Sequence, residues 1–359
     1  MGMGKRLSLF AIGSLLASAC GGGTPGPAAG TAAAPKTVAD IAQYAAADRQ
    51  KVLEAGAKRE GSVSLYTSAV APTMPLIIEA FQSKYPFLRV EMYRADNAEL
   101  NQRFSQEEQA GKRIMDVLET TTDGMTAFIS NKWIQAYASP EIAAYPKDAV
   151  HPQALWAPTR ASYVGLGFNT KLVAKADAPK TFDDLLDPKW KGKMSIASSA
   201  TGVRFVGNIL FSKGEDYLKK LGAQNVRLQN VSGRALADLV VAGEVPLSPT
   251  IFDSHVADSK SQGAPIDWVP LEPAVVNLGA AALSAKAPHP NASMLFIDFL
   301  LSEQGQKIYN DHGYGSTRTG IGAGAASFKK LYLDNVTTNY EESFAKWQQL
   351  LRSTFTAQK

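Results

Sequence analysis

The chain of 359 residues holds a single cysteine, Cys20, so no disulfide can form within it. Its four histidines, His151, His255, His289 and His312, lie far apart, never at the His-x-x-x-His spacing that puts two metal ligands on one helix face. The Gly-x-Ser-x-Gly elbow of serine hydrolases is absent. The glycine-rich stretch 313–324, GYGSTRTGIGAG, follows a predicted helix rather than a strand and lacks the Gly-Lys-Ser/Thr of a phosphate-binding loop. Excess charge of one sign is missing too: the formal net charge is +4, or +2 without Lys5 and Arg6. Beyond the N-terminus no apolar run approaches the roughly 20 residues that span a bilayer, and no internal repeat is visible. These absences weigh against an enzyme, a nucleic-acid binder and a repetitive adhesin. What remains is a globular composition, 45% hydrophobic and 19% charged, in a chain long enough for two domains.

The N-terminus is an address. Lys5-Arg6 precedes ten apolar residues, 7–16, too few to span a membrane but suited to a signal peptide. Ala17-Ser18-Ala19-Cys20 resembles a bacterial lipobox, with Ala17 where Leu is usual and Leu16 one place early. That resemblance implies cleavage after residue 19 and lipidation of Cys20, anchoring the protein at the periplasmic face or cell surface. Residues 21–35, GGGTPGPAAGTAAAP, lack charge and bulk, so 20–36 is expected to be a flexible tether.

From residue 37 onward strands and helices alternate. Helical spacing is expected over 37–58, 73–84, 97–111, 123–131 and 291–309, and strands over 62–66, 88–92, 115–118, 163–168, 194–197, 245–247 and 275–282. This alternation predicts an α/β protein of largely parallel sheets flanked by helices. In such sheets ligands sit beyond the carboxyl ends of the strands. Thr67-Ser68, Thr120-Thr121-Thr122 and Ser198–Gly202 all fall where a strand ends and a helix begins, where free N–H groups favour anions.

Several stretches resemble the iron(III)-type periplasmic solute-binding proteins, a branch of the extracellular solute-binding group 1: GSVSLYTS (61–68), AGKRIMDVLETTTDGM (110–125), YVGLGFNTKLV (163–173), PKTFDDLLDPKWKGKMSIASSATG (179–202), AGEVPLSP (242–249) and 277–309. The resemblance implies a two-lobed periplasmic-binding-protein fold of type II, each lobe a mostly parallel sheet flanked by helices, with the solute in the cleft between them. It further implies lobe 1 over 37–160 and 274–322, lobe 2 over 161–273 and 323–359, and hinge strands near 163–170 and 269–278. The implied partners are a small-molecule solute and the permease subunits of an ABC transporter. No nucleic acid and no cofactor is expected, the membrane is met only through the lipid, and the chain is expected to be a monomer.

The iron ligands of that family are a His after the first strand, a Glu after the Asp-Val strand and a consecutive Tyr pair. These positions fall at about Val70, Thr121 and Asp253-Ser254, and none carries the family residue. The expected site is therefore built from Thr67, Ser68, Thr121 and Thr122 of one lobe and Ser199, Thr201, Gly202, Arg204, Phe252, Asp253 and His255 of the other. Arg160, Arg204 and Arg318 are candidates for a charge-assisted contact, and Phe252 is a candidate to stack on the ligand. The expected solute carries a carboxylate, phosphate or phosphonate. The alternative is ferric iron or a ferric chelate held by a shifted set, Glu119, Asp253 and His255.

Overall fold

Thr37 opens the described chain with a capping box, its hydroxyl accepting the Asp40 N–H while the Asp40 carboxylate accepts its own. The computed structural model describes residues 35–69, 73–322, 328–337 and 339–357, so Cys20, the tether and Val70 lie outside the described residues. The helix expected over 37–58 is two, α1 (Val38–Ala42) and α2 (Arg49–Glu60). The intervening turn lets Ala42 bury and brings Arg49 to Asp298 at 2.5 Å. Gly61, at φ +74°, ends α2 in the left-handed region where glycine carries no Cβ cost.

Three parallel strands follow with their crossover helices: β1 (Ser62–Thr67), α3 (Thr73–Lys84), β2 (Arg89–Arg94), α4 (Asn97–Gln109) and β3 (Val117–Thr121). A 3-10 turn over Thr122–Met125 leads to α5 (Thr126–Ser130) and the short β4 (Ile134–Gln135). The chain then enters β5 (Ala157–Asn169), thirteen residues long and buried throughout.

The second half holds β6 (Ser195–Ala197), α6 (Ala200–Ser212), α7 (Glu215–Gly222), β7 (Arg227–Gln229), α8 (Gly233–Ala242), β8 (Leu247–Phe252), α9 (Asp253–Ser261) and β9 (Ile266–Val269). The chain returns through β10 (Ala274–Ser284) to α10 (Pro290–Leu301) and α11 (Glu303–Asp311). It closes with β11 (Lys330–Leu331), α12 (Leu333–Val336), α13 (Tyr340–Thr354) and β12 (Thr356–Ala357).

The fold is two-lobed α/β. One curled mixed sheet runs β2-β1-β3-β10-β5-β8, and a small parallel sheet runs β12-β7-β6. Strand β5 serves both halves: residues 157–163 pair antiparallel with β10, and 164–169 pair antiparallel with β8 and β9. The crossover strands are thus antiparallel, whereas β1–β3 and the small sheet are parallel. One core gathers around β1, α3 and α10, with Phe81 edge-on to Phe296 at 4.9 Å. Another gathers around α6, with Trp347 of α13 packed against it.

Two further expectations shift. The helix expected over 291–309 breaks at Ser302, whose hydroxyl accepts the Gly305 N–H at 3.2 Å and restarts the chain as α11. The strand expected at 245–247 begins at Leu247 and runs on to Phe252, because Val164 and Phe168 of β5 offer it a partner edge.

Candidate functional site

The strand-to-helix junctions converge. Thr121 ends β3, Ser199 precedes α6, Ser232 precedes α8, and Phe252 ends β8. Together with Asp123, Arg204, Arg234, His255 and Asn277 they line a cavity of about 310 Å³. Hydroxyls at helix starts are usually spent on capping. Ser232 follows that rule, accepting the Ala235 N–H at 3.1 Å. Ser199 does not: its side chain makes no capping bond and lies 3.2 Å from the Thr201 hydroxyl. A Cβ on Gly233 would fall 2.9 Å from Thr201 Oγ1 and 3.7 Å from His255 Cε1, so the bare glycine keeps open the space between them.

Arg204 is the most deeply buried of the charged side chains at the cavity. It is only 3% exposed, its Nε donates to the Tyr340 hydroxyl at 3.3 Å, and its Nη2 lies 3.1 Å from Asp123 Oδ1. Burial pushes the Asp123 carboxyl up, but the Arg204 guanidinium and a hydrogen bond from Thr121 outweigh it and hold it below the usual carboxylate range. His255 stands edge-on to Phe252 with ring centres 5.2 Å apart. Burial, with the Arg234 charge adding to it, pulls its imidazole down to about 4, so it is neutral at pH 7. Its Nδ1 and the Asn277 Oδ1 are buried without a hydrogen-bond partner. A ligand offering both oxyanion and donor groups satisfies all of these atoms.

Asp123 also lines a second cavity of about 650 Å³, with Thr122, His151, Trp156, Asp334 and Tyr340. Here the Thr122 hydroxyl donates to the Asp334 carboxylate.

Thr121, Ser199, Thr201, Arg204, Phe252 and His255 thus come together, and Thr122 lies beside them. The other candidates go elsewhere. Thr67 is fully buried and donates to Glu119 Oε2 at 2.7 Å. Ser68 shares a hydrogen bond with Thr120 at 2.8 Å. Gly202, in the first turn of α6, packs down on β6, where a Cβ would sit 1.9 Å from the Ala197 carbonyl oxygen. Arg160 pairs with Glu119 at 3.0 Å and Arg318 with Glu141 at 2.7 Å.

The shifted metal set does not converge either. Glu119, fully buried, is held by Thr67, Thr159 and Arg160. Asp253 turns to Tyr163, accepting its backbone N–H at 2.8 Å, and lines a different cavity from His255. Burial pushes the Asp253 carboxyl up to about 6 against the pull of backbone N–H groups. Among the described residues, no three His, Cys, Asp or Glu side chains are grouped to hold a metal ion.

Sequence reasoning missed Asp123, Arg234 and Asn277. Asp123 adjoins a flagged stretch, two residues after Thr121, whereas Arg234, in the first turn of α8, adjoins none. Asn277 reaches the site only through its pairing with Ser162 across β10 and β5, which leaves no local signal.

Residues 113–331 match the profile of a family described as bacterial extracellular solute-binding protein. A Fe(3+)-binding periplasmic protein of Serratia marcescens is 25% identical over 263 residues, 68% of this chain and 74% of the relative. An uncharacterized protein of Haemophilus influenzae is 30% identical over 156 residues, covering 40% of this chain and 44% of that protein. Among solved structures, iron-bound HitA from Pseudomonas aeruginosa superposes with a TM-score of 0.66 at 21% identity, over 82% of this chain and 99% of that one. A Trichodesmium protein in complex with iron and citrate ligands gives a TM-score of 0.70 at 20% identity over the same shares.

Proposed function

Because the chain belongs to the bacterial extracellular solute-binding protein family, we propose that it captures ferric iron as an anionic chelate outside the cytoplasmic membrane and hands it to the permease subunits of an ABC importer. Iron as cargo draws support from the relatives, which are described as Fe(3+)-binding, iron-bound, or complexed with iron and citrate. The chelated form draws support from the cavity. The observation that carries it is Arg204, 3% exposed, beside two hydroxyls, Ser199 and Thr201, that line the same cavity. Carboxylate oxygens of a chelator suit such donors, whereas a bare ferric ion needs several anionic ligands converging on one point.

Capture proceeds by lobe closure, with β5 and β10 as hinge strands and the lobes dividing near residues 160 and 274. The solute prefers the closed form because only there do Thr121 on one side and Ser199, Thr201 and Arg204 on the other reach it together. The bound solute leaves unchanged, without turnover. Lipidation of Cys20 holds the protein at the membrane, so Cys20→Ser moves it from the membrane to the soluble fraction; retention at the membrane sinks the anchor.

The test is calorimetric titration of the protein with ferric citrate, citrate alone and small phosphonates. Ferric citrate is expected to bind at least about ten-fold tighter than citrate alone, a difference of about 1.4 kcal/mol. Equal or tighter binding of an iron-free carboxylate, phosphate or phosphonate makes the organic anion the cargo instead.

A further inference from the structure

A third cavity, of about 210 Å³, lies where β5, the first turn of α9 and residues 310–322 meet. It is lined by Tyr163, Asp253, Ser254 and the Gly313–Ser316 turn, and it shares no lining residue with the solute cavity. Tyr163 is 3% exposed, and its hydroxyl is buried with no hydrogen-bond partner. Leaving such a hydroxyl unpaired forfeits its hydration without replacing it. The phenol is fixed there: Gly315 exchanges backbone hydrogen bonds with Ala161 at 2.7 Å in both directions, and a Cβ on Gly315 would press within 2.7 Å of the Tyr163 ring.

The same wall carries the Asp253 carboxylate, anchored by the Tyr163 N–H. Among the described residues no lysine, arginine or histidine forms an ion pair with it; Lys330 lies over the Tyr163 ring, 5.9 Å from its centre. The Ser254 hydroxyl, 3.3 Å from that of Ser162, adds another neutral oxygen. The wall therefore offers hard oxygen donors bearing one negative charge. Ca²⁺ takes about six to eight oxygen ligands, more than this wall provides, whereas a monovalent ion is balanced by a single carboxylate.

We propose that this cavity is a monovalent-cation site, in which sodium or potassium, with part of its hydration shell, is held by the Asp253 carboxylate and the Tyr163 and Ser254 hydroxyls. The ion ties the crossover strand β5 to α9, the helix that carries His255 at the solute cavity. The inference is independent of the cargo, since it concerns a different cavity and is tested without solute.

The test is thermal unfolding of the protein in sodium, potassium and choline chloride at equal ionic strength, with no iron or organic acid present. Sodium or potassium at many times its dissociation constant is expected to raise the Tm about 3 °C above the choline value. Asp253→Asn and, as a milder change that keeps the fold, Tyr163→Phe are each expected to abolish that difference. Equal melting of the wild-type protein in all three salts overturns the site, as does a difference that persists in either variant.

Discussion

Arg204 Nη2 and Asp123 Oδ1 stand 3.1 Å apart at the wall of the solute cavity, close enough for an ion pair yet with neither atom engaged in a hydrogen bond. A buried guanidinium held by a misaligned carboxylate is available to a better-aligned one. On the proposed function, the chelate's carboxylate replaces Asp123 at Arg204, so Asp123 acts as an internal competitor. Asp123→Asn is expected to tighten ferric citrate binding about ten-fold, and Arg204→Met to weaken it by roughly ten- to a hundred-fold, as for loss of a hydrogen bond to a charged group. Calorimetric titration of both variants is the check. Weaker binding by Asp123→Asn rejects the competitor role.

Glu119 separates the two ways of holding iron. As a direct ligand it would be dispensable for folding and essential for cargo. The structure instead spends it on Thr67, Thr159 and Arg160, with both members of the ion pair buried. Breaking such a pair leaves an uncompensated buried charge, so Glu119→Gln is expected to cost about 4 kcal/mol, roughly 10 °C in Tm. The folded fraction should keep its cargo affinity. A stable variant that no longer binds iron returns Glu119 to the ligand set.

What the sequence made legible follows the range over which each signal acts. Strand ends and helix starts are local, and Thr121, Ser199 and Thr201 were found from them. Partner choice is not local. Thr67 and Ser68 stand at such a junction too, but Glu119 and Thr120, more than fifty residues away, take their hydroxyls. Asp253 and His255, two residues apart, look like one site in the sequence. The first turn of α9 sends them to different cavities because residues two apart on a helix do not share a face. The antiparallel β5–β10 pairing, which brings in Asn277, joins residues more than a hundred apart and leaves no periodic trace.

Gly202 tests whether the start of α6 must lie close on β6. Its missing side chain lets the helix approach until a Cβ would meet the Ala197 carbonyl oxygen at 1.9 Å, a backbone atom that cannot swing away. Gly202→Ala is therefore expected to shift the helix start, costing about 3 kcal/mol of stability. The same shift moves Ser199, Thr201 and Arg204, so cargo binding should fall with it. Urea unfolding and titration of this one variant give both readings; full stability shows that the packing is looser than the geometry requires.

His289 sets a pH dependence far from the cargo. Its Nδ1 lies 2.8 Å from the fully buried Asp116 carboxylate, which also accepts the backbone N–H groups of Ser64 and His289. The hydrogen bond with Asp116 raises the imidazole above its ordinary value; burial opposes this, and the Asp116 and Glu60 charges reinforce it. A folded value above the unfolded one means the protonated ring favours the folded state. The contribution is thus fully present below the ordinary histidine value of about 6.5, and it is lost as pH rises through the folded value. His289→Gln should therefore lose most stability relative to wild type below the ordinary histidine value, with the gap narrowing as pH rises through the raised folded value, as read from urea midpoints across a pH series. A gap that widens with pH would mean that the ring holds the fold together as a neutral group, with Asp116 served by its backbone donors alone.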